Sequence, residues 1–269
     1  MRVHLLDAGS GEPVVILHGG DGEAVNWAPL MAVLQADLHL YAVDRPGFGL
    51  SDAFDYRKVN LRSHAADFVS SLLDSLKLES ATLVGGSMGG FFALATALAH
   101  PVRVRRLVLV GMPAGLVRSM PLPLRIMCGV PGLARPLMNN FASLDGLKKQ
   151  YRDMFHTDPA LLPELFFETR LAGMTRPGAL DTWAVLLRRI GNLRGIRPEI
   201  YLGDELTKLQ PPALLFWGEH DMAPAAAGEA AAAHIPHGKF IYLKDIGHFP
   251  FLEIPAECAR LVLDFIRET

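Results

Sequence analysis

The sequence is poor in cysteine, with Cys128 and Cys258 as the only two in 269 residues. They stand far apart and form no CxxC pair, which excludes a disulfide-dense scaffold and gives no cysteine set for zinc. Such sparing use of cysteine is typical of a reducing compartment, so we expect a cytoplasmic protein. We expect both thiols to be buried as small apolar side chains.

An excess of charge is also missing, because 26 Lys and Arg face 28 Asp and Glu. A net charge of -2 provides no basic field for nucleic acid or for an anionic membrane. No apolar run reaches the roughly 18 residues of a membrane-spanning helix, and the first residues, "MRVHLLDAGSGEP", lack the apolar centre of a signal peptide. We therefore expect a small-molecule partner, with no nucleic acid and no membrane; the oligomeric state is left open.

Phosphate-loop and metal-ligand spacings are absent too, so the sequence predicts no cofactor and no metal. What is present is a 50% hydrophobic chain, long enough for a large core. Six short, nearly continuous apolar runs predict strands that are covered on both faces. They are residues 13–19, 38–44, 81–86, 104–111, 212–218 and 239–245.

Helical patterns alternate with these strands. Residues 62–76 place apolar side chains at i, i+3, i+4 and i+7, and the C-terminal segment does the same. The alternation predicts an α/β fold, with a mostly parallel sheet flanked by helices. From 116 to 206 the pattern breaks into prolines and short helical stretches with no convincing strand. We interpret 116–206 as a helical cap inserted between the two parts of the core, 1–115 and 207–269.

A G-x-S-x-G pattern surrounds Ser87, with Gly85 and Gly89 on either side. Small residues allow a sharp turn from a strand into a helix, which exposes the serine oxygen at the carboxyl end of the sheet. A helix that begins near Met88 favours negative charge at this point. The alternative is a glycine-rich turn that serine caps and that has no catalytic role. Residues elsewhere in the chain are needed to distinguish the two interpretations.

A serine nucleophile needs a base, and the base needs a group to orient it. His248 follows the last predicted strand and Asp221 follows the strand before it, each in a loop. The order Ser87, Asp221, His248 is the order of the α/β-hydrolases. Asp245 is a rival for the acid, while His18, Asp44 and Asp52 suit structural hydrogen bonds better than chemistry.

On these residues the chain resembles the α/β-hydrolase superfamily over essentially its whole length, as a capped serine hydrolase. "ILHGG" at 16–20 resembles the turn of that family that lends an amide to the oxyanion hole, which implies Gly20 and Met88 as the two donors. "DRPGFGLSD" at 44–52 resembles a loop of capped members, including epoxide hydrolases and haloalkane dehalogenases. Those two groups use an aspartate nucleophile where this chain has Ser87.

The resemblance implies an acyl-enzyme mechanism, and we place a carboxylesterase for small to medium apolar esters or lactones first. A carbon–carbon bond hydrolase of the meta-cleavage-product type is the alternative, supported by the cap and by "HGGDGEAVNW" with Asn26. Those enzymes usually carry Asn before the nucleophile and Trp after the catalytic His, where this chain has Gly86 and Phe249. A small-molecule receptor that keeps the fold is a third hypothesis.

The cap is rich in Leu, Met and Phe, which suits an apolar pocket above Ser87. No individual substrate-binding residue can be named from this pattern. Six cap arginines could recognise a carboxylate, although we expect most of them to be solvated: Arg170, Arg176, Arg188, Arg189, Arg194 and Arg197.

Overall fold

A seven-stranded sheet forms the centre of the protein, with strand order β1-β3-β2-β4-β5-β8-β9. The computed structural model describes residues 1–20, 22–118 and 120–269. The strands are β1 (Leu5–Ala8), β2 (Glu12–Leu17), β3 (Leu38–Val43), β4 (Ala81–Gly86), β5 (Val104–Val110), β6 (Gly191–Asn192), β7 (Gly195–Ile196), β8 (Ala213–Gly218) and β9 (Gly238–Leu243).

Helices cover this sheet and fill the segment between β5 and β8. They are α1 (Ala28–Leu34), α2 (Leu61–Ser75), α3 (Met88–Ala99), α4 (Leu122–Gly129), α5 (Ala134–Asn139), α6 (Leu144–Phe155), α7 (Glu164–Thr175), α8 (Ala179–Ile190), α9 (Ala225–Ala233), α10 (Pro250–Glu253) and α11 (Pro255–Glu268). Helix α2 packs against α3, and α1 packs against α11. The mostly parallel α/β fold expected from the sequence is confirmed.

All six predicted strands are present within two residues at either end. Every residue of β4 and β8 is buried, which explains why their sequences are apolar without alternation. Strand β1 was not predicted. It is a four-residue, half-buried edge strand that pairs antiparallel with β3, and its "LLDA" sequence carries no strand periodicity.

The segment between β5 and β8 holds α4 to α8, which we call the cap helices. Helices α4, α5 and α7 pack against α8. The expectation of no strand here needs a correction, because β6 and β7 form a small antiparallel pair. Each is two residues long, too short for any periodicity, and Gly195 takes a φ of 119° beside the turn. The 116–206 cap boundaries stay a prediction.

Both cysteines are free and buried, as the sequence predicted. Burial raises the pKa of the Cys128 and Cys258 thiols to about 12, which makes them poor nucleophiles. Across the described residues, no helix has the length and apolar character needed to cross a membrane.

Candidate active site

Ser87 lies at the turn between β4 and α3 with φ 49° and ψ -114°. This backbone region is rarely adopted by residues with a side chain and is typical of functional turns. The turn is possible because its flanks lack Cβ atoms: one on Gly85 would lie 2.5 Å from the Gly89 oxygen, and one on Gly89 would lie 1.9 Å from the Leu17 oxygen. The predicted strand-to-helix turn is therefore present, with Ser87 at its apex.

His248 and Asp221 form a buried hydrogen-bonded pair. The Nδ1 of His248 lies 2.6 Å from Oδ1 of Asp221, and both side chains are almost fully buried. Asp221 also accepts the backbone N–H of Met112 at 2.7 Å and that of Met222 at 2.6 Å. Because the carboxylate accepts a hydrogen bond from the Nδ1–H of His248, Nε2 is the ring nitrogen whose lone pair stays available. His248 and Ser87 line the same cavity.

The rival acid, Asp245, is turned away from this pair. Its side chain is 76% exposed, and its backbone N–H donates to Glu219 at 2.9 Å. Glu219, His220 and Asp245 bring ligand atoms within 4.8 Å of one another at the surface, which their sequence spacing did not indicate. Exposed acidic groups commonly meet in this way without an ion.

The loop that contains Gly20 is held from behind by His18 and Arg45. Nδ1 of His18 donates to the Gly19 oxygen at 2.8 Å, and Nε2 accepts the backbone N–H of Arg45 at 2.9 Å. Burial, and then the charge of Arg45, lower the pKa of His18 well below its usual value, so it stays neutral. His18 is therefore a structural residue, as its position in the turn predicted.

Asp44 and Asp52 organise the 44–52 loop. The Asp44 carboxylate accepts hydrogen bonds from Nδ1–H of His4 and from the backbone N–H groups of Ala24 and Leu50, at 2.7 to 2.8 Å. Asp52 accepts the backbone N–H of Arg2 at 2.8 Å. Neither carboxylate contacts His248 through any described hydrogen bond, so the structural interpretation of both is supported.

The cavity above Ser87 is enclosed by core loops and cap helices, and its walls are apolar. Seven of the ten methionines line it, together with Trp27, Trp183, Phe155, Phe249 and Phe251. Its described lining includes no Lys, Arg, Asp or Glu. The polar side chains in the wall are those of Ser87, Asn26, Gln150, Tyr151 and His248.

Comparison with known proteins identifies the family in which this site geometry is found. The model of the alpha/beta hydrolase fold family matches residues 12–255. The chain belongs to the α/β-hydrolase family. It is an α/β-hydrolase enzyme, and the seven-stranded sheet, the turn at Ser87 and the paired loops after β8 and β9 are where this fold places its site.

Several curated hydrolases match the α/β-hydrolase chain almost end to end. It is 34% identical over 275 residues to a 2-hydroxy-6-oxononadienedioate/2-hydroxy-6-oxononatrienedioate hydrolase of Pseudomonas putida, covering 99% of this chain and 92% of the relative. It is 30% identical to a 2-hydroxy-6-oxo-6-phenylhexa-2,4-dienoate hydrolase of Burkholderia cepacia, over 98% and 91%. A solved carboxylesterase of Bacillus subtilis is 25% identical with a TM-score of 0.79, over 99% and 88%.

Two positions at which this α/β-hydrolase departs from the meta-cleavage-product pattern are crowded by aromatic rings. A Cβ on Gly86 would lie 3.2 Å from the Val110 oxygen and 3.3 Å from Cζ2 of Trp27. Trp27 stacks on Phe251 with ring centroids 3.8 Å apart. Phe249 packs against Phe155 at 4.7 Å. The space beside Ser87 is therefore filled by aromatic rings instead of the amide side chain of that pattern.

The sequence did not indicate a contact between the cap helices and the loop that contains His248. The His248 backbone N–H donates to the Phe155 oxygen at 2.9 Å. Glu253 accepts the N–H of Gly247 at 3.1 Å and the hydroxyl of Thr157 at 3.0 Å. Burial raises the pKa of the Glu253 carboxyl. A glutamate five residues after His248 was the available signal, but its partner 96 residues away could not be inferred.

Among the six cap arginines, of which most were expected to be solvated, Arg170 is the buried exception at 1% exposure. Its Nη1 lies 3.8 Å from the carboxylate of Glu23. Arg176, Arg188 and Arg194 are exposed. Burial of an ion pair needs close partners, so this cation is held at the cap–core boundary by Glu23.

Proposed function

We propose that this α/β-hydrolase cleaves a carbon–carbon bond in a 2-hydroxy-6-oxo-dienoate, the alternative of the sequence analysis, ahead of a simple ester. One observation carries the proposal: relatives at 30 to 34% identity over 98 to 99% of this chain bear names of such hydrolases. The proposed machinery is Ser87 as nucleophile, His248 as base and Asp221 as its orienting acid, with Gly20 and Met88 amides as the oxyanion hole. The proposed reaction uses no cofactor and takes place in the cytoplasm.

The chemistry follows from the vinylogous diketone. His248 removes the proton of Ser87, whose oxygen attacks the C6 carbonyl of the 2,6-dioxo tautomer, and the oxyanion lies between the two amides. The C5–C6 bond breaks, and its electron pair moves through the enone onto the C2 oxygen. The dienolate takes up the proton held by His248. Water then hydrolyses the acyl-enzyme, giving a carboxylic acid and 2-hydroxypenta-2,4-dienoate.

The wall of the cavity supports an apolar group on the acyl side. Its methionines and aromatic rings adapt to a phenyl or alkyl substituent, and no cation in the described lining would pair with a second carboxylate. We therefore expect the 6-phenyl dienoate to be preferred over the nonadienedioate.

Two buried N–H groups in this wall support a substrate with oxygen atoms beyond the scissile carbonyl. Nδ2 of Asn26 and Nε1 of Trp27 have no hydrogen-bond partner among the described residues. Both residues line the cavity. Buried donors without partners are rare in native proteins, so a ligand acceptor is a sound reason for them. The C2 oxygen and carboxylate of a dienoate supply such acceptors at a distance from the scissile carbonyl, whereas an alkyl ester has no oxygen outside its ester group.

The test is turnover of 2-hydroxy-6-oxo-6-phenylhexa-2,4-dienoate, followed by loss of the dienol absorbance and by release of benzoate. Ser87→Ala should lower kcat by at least about 10⁴-fold, since loss of a serine nucleophile is among the largest single losses an enzyme shows. Ser71→Ala, on the exposed face of α2, is the matched control and should keep wild-type turnover.

Carboxylic ester hydrolysis is the second candidate, favoured by Gly86, Phe249 and the uncharged walls. A panel of p-nitrophenyl esters from acetate to decanoate separates the two proposals. Rapid ester turnover with an untouched dienoate absorbance would replace the carbon–carbon proposal by the esterase.

A further inference from the structure

Arg45 is a fully buried arginine behind the loop of Gly19 and Gly20. Its Nε donates to the His18 oxygen at 3.2 Å, and its Nη2 donates to the Gly19 oxygen at 2.6 Å and the Gly20 oxygen at 2.8 Å. One guanidinium thus binds three consecutive carbonyls. The mechanism above assigns no task to this side chain.

These contacts fix the direction of a particular amide. In a trans peptide the C=O and the following N–H point to opposite sides. The Gly19 oxygen points toward Arg45 and His18, so the Gly20 N–H points away from both. Ser87 lies beside this loop: a Cβ on Gly19 would be 3.5 Å from the Ser87 Cβ, and Gly20 and Ser87 line the same cavity.

The loop needs such a constraint because Gly19, Gly20 and Gly22 have no side chains to fix their backbone. Three carbonyls that converge on one point also repel one another unless a donor lies between them. A planar guanidinium offers several N–H groups at fixed angles, which an ammonium does not. Arg45 is itself held by the rings of Phe48 and Phe92, at 4.7 and 5.0 Å from its central carbon.

We infer that Arg45 is a positioning residue of the oxyanion hole: by binding the carbonyls of His18, Gly19 and Gly20, it aims the Gly20 amide at the oxyanion formed on Ser87. The inference rests on the proposed roles of Gly20 and Ser87, but not on which substrate is cleaved. It goes beyond the triad because Arg45 touches no reacting atom and acts through the backbone.

Arg45→Lys is the test, measured with p-nitrophenyl butyrate and with the phenyl dienoate. We expect kcat to fall about 30- to 300-fold with KM within threefold, because the loss falls on the transition state. A trifluoromethyl ketone, which Ser87 converts to a tetrahedral adduct, should lose affinity by a similar factor. The matching methyl ketone should bind as before. Arg57→Lys, an exposed arginine paired with Asp55, is the matched control.

Phe48→Leu provides a second variant in case Arg45→Lys does not fold, since it loosens the guanidinium without removing it. It should lower kcat 3- to 10-fold and weaken the trifluoromethyl ketone in parallel. Unchanged kcat in the folded variants, or equal losses for both ketones, would overturn the inference. Wild-type turnover of the ester alone would instead reject the carbon–carbon proposal and leave the Arg45 test intact. A trifluoromethyl ketone that binds Ser87→Ala as tightly as wild type would reject the proposed nucleophile.

Discussion

At the residue scale, Ser87 has a strained backbone conformation that fixes the position of its side chain. The φ of 49° at Ser87 costs on the order of 1–3 kcal/mol, a strain that persists only where the surroundings leave no other conformation. The surroundings of Ser87 are backbone atoms, because the main chains of Gly85, Gly89 and Leu17 pack closely against one another. The rigid strand end therefore holds Ser87, the proposed nucleophile, in place before any substrate arrives, which is what preorganised catalysis needs.

Asn26 is the residue whose change should separate the two candidate substrates. Its Oδ1 accepts the Glu23 N–H at 2.7 Å, so the amide orientation is fixed and Nδ2 is the free donor. Asn26→Asp keeps the shape and the accepting oxygen but replaces the donor by an anion. We expect KM for the phenyl dienoate to rise about 10-fold or more, since a hydrogen bond to a charged group contributes roughly 1.5–3 kcal/mol.

Steady-state kinetics with both substrates checks this expectation. KM for p-nitrophenyl butyrate should stay within twofold, because that ester lacks the carboxylate and the C2 oxygen of the dienoate, which are the acceptors proposed for Asn26. Asn139→Asp, the same change at an exposed position of α5, controls for added charge. Equal KM changes for ester and dienoate would show that Asn26 supports the fold of the loop and not the substrate.

At the scale of elements, the end of α6 meets the loop of His248. The Phe155 oxygen accepts a hydrogen bond from the His248 backbone N–H, and the Phe155 ring stacks over the imidazole with centroids 5.7 Å apart. Next to them, the Thr157 hydroxyl donates a hydrogen bond to Glu253. A cap helix and His248, the proposed base, are therefore joined by one set of contacts. A shift of α6 would move the imidazole relative to Ser87.

Thr157→Val removes one hydrogen bond of this set of contacts and keeps the side-chain shape. A buried hydrogen bond contributes about 1 kcal/mol, so we expect kcat to fall about 3- to 10-fold while KM stays within twofold. Thr175→Val, at an exposed position of α7 where the hydroxyl bonds the Leu171 oxygen, is the control. Kinetics with p-nitrophenyl butyrate measures the effect, and a loss of Tm at unchanged kcat would confine Thr157 to a structural role.

The secondary-structure elements also show which parts of the fold the sequence can predict. Strands β4 and β8 are apolar because they are buried on both faces, so their composition predicts them. Strand β1 could not be predicted, since its pairing with β3 is fixed by backbone contacts and leaves no mark in "LLDA". The candidate triad was predictable because its residues follow strand ends. Arg45 and Glu253 were not, since their partners lie 25 and 96 residues away.

The molecule as a whole carries a half-buried histidine, His64, outside the site. His64 stacks on Phe54 with centroids 4.4 Å apart and meets the edge of Tyr56 at 5.6 Å. Burial, and then the charge of Arg45, lower its pKa to about 4. The unfolded chain, with an ordinary imidazole pKa near 6.5, therefore binds a proton before the folded chain does as the pH falls.

His64→Phe should make the protein less sensitive to acid. Between pH 6.5 and 4 His64 binds fewer protons in the folded than in the unfolded chain, so its contribution to the free energy of unfolding decreases as the pH is lowered. After discounting for partial exposure, this decrease is about 1–2 kcal/mol. Phenylalanine keeps the ring contacts and cannot titrate. Urea unfolding of both proteins at pH 8, 6, 5 and 4.5 measures the difference in their free energies of unfolding. The contribution of His18 is the same in both proteins and cancels in this difference. His237→Phe, the same exchange at an exposed position, controls for the added ring. Parallel stability curves for wild type and His64→Phe would mean that His64 takes up its proton in the folded protein as readily as in the unfolded chain.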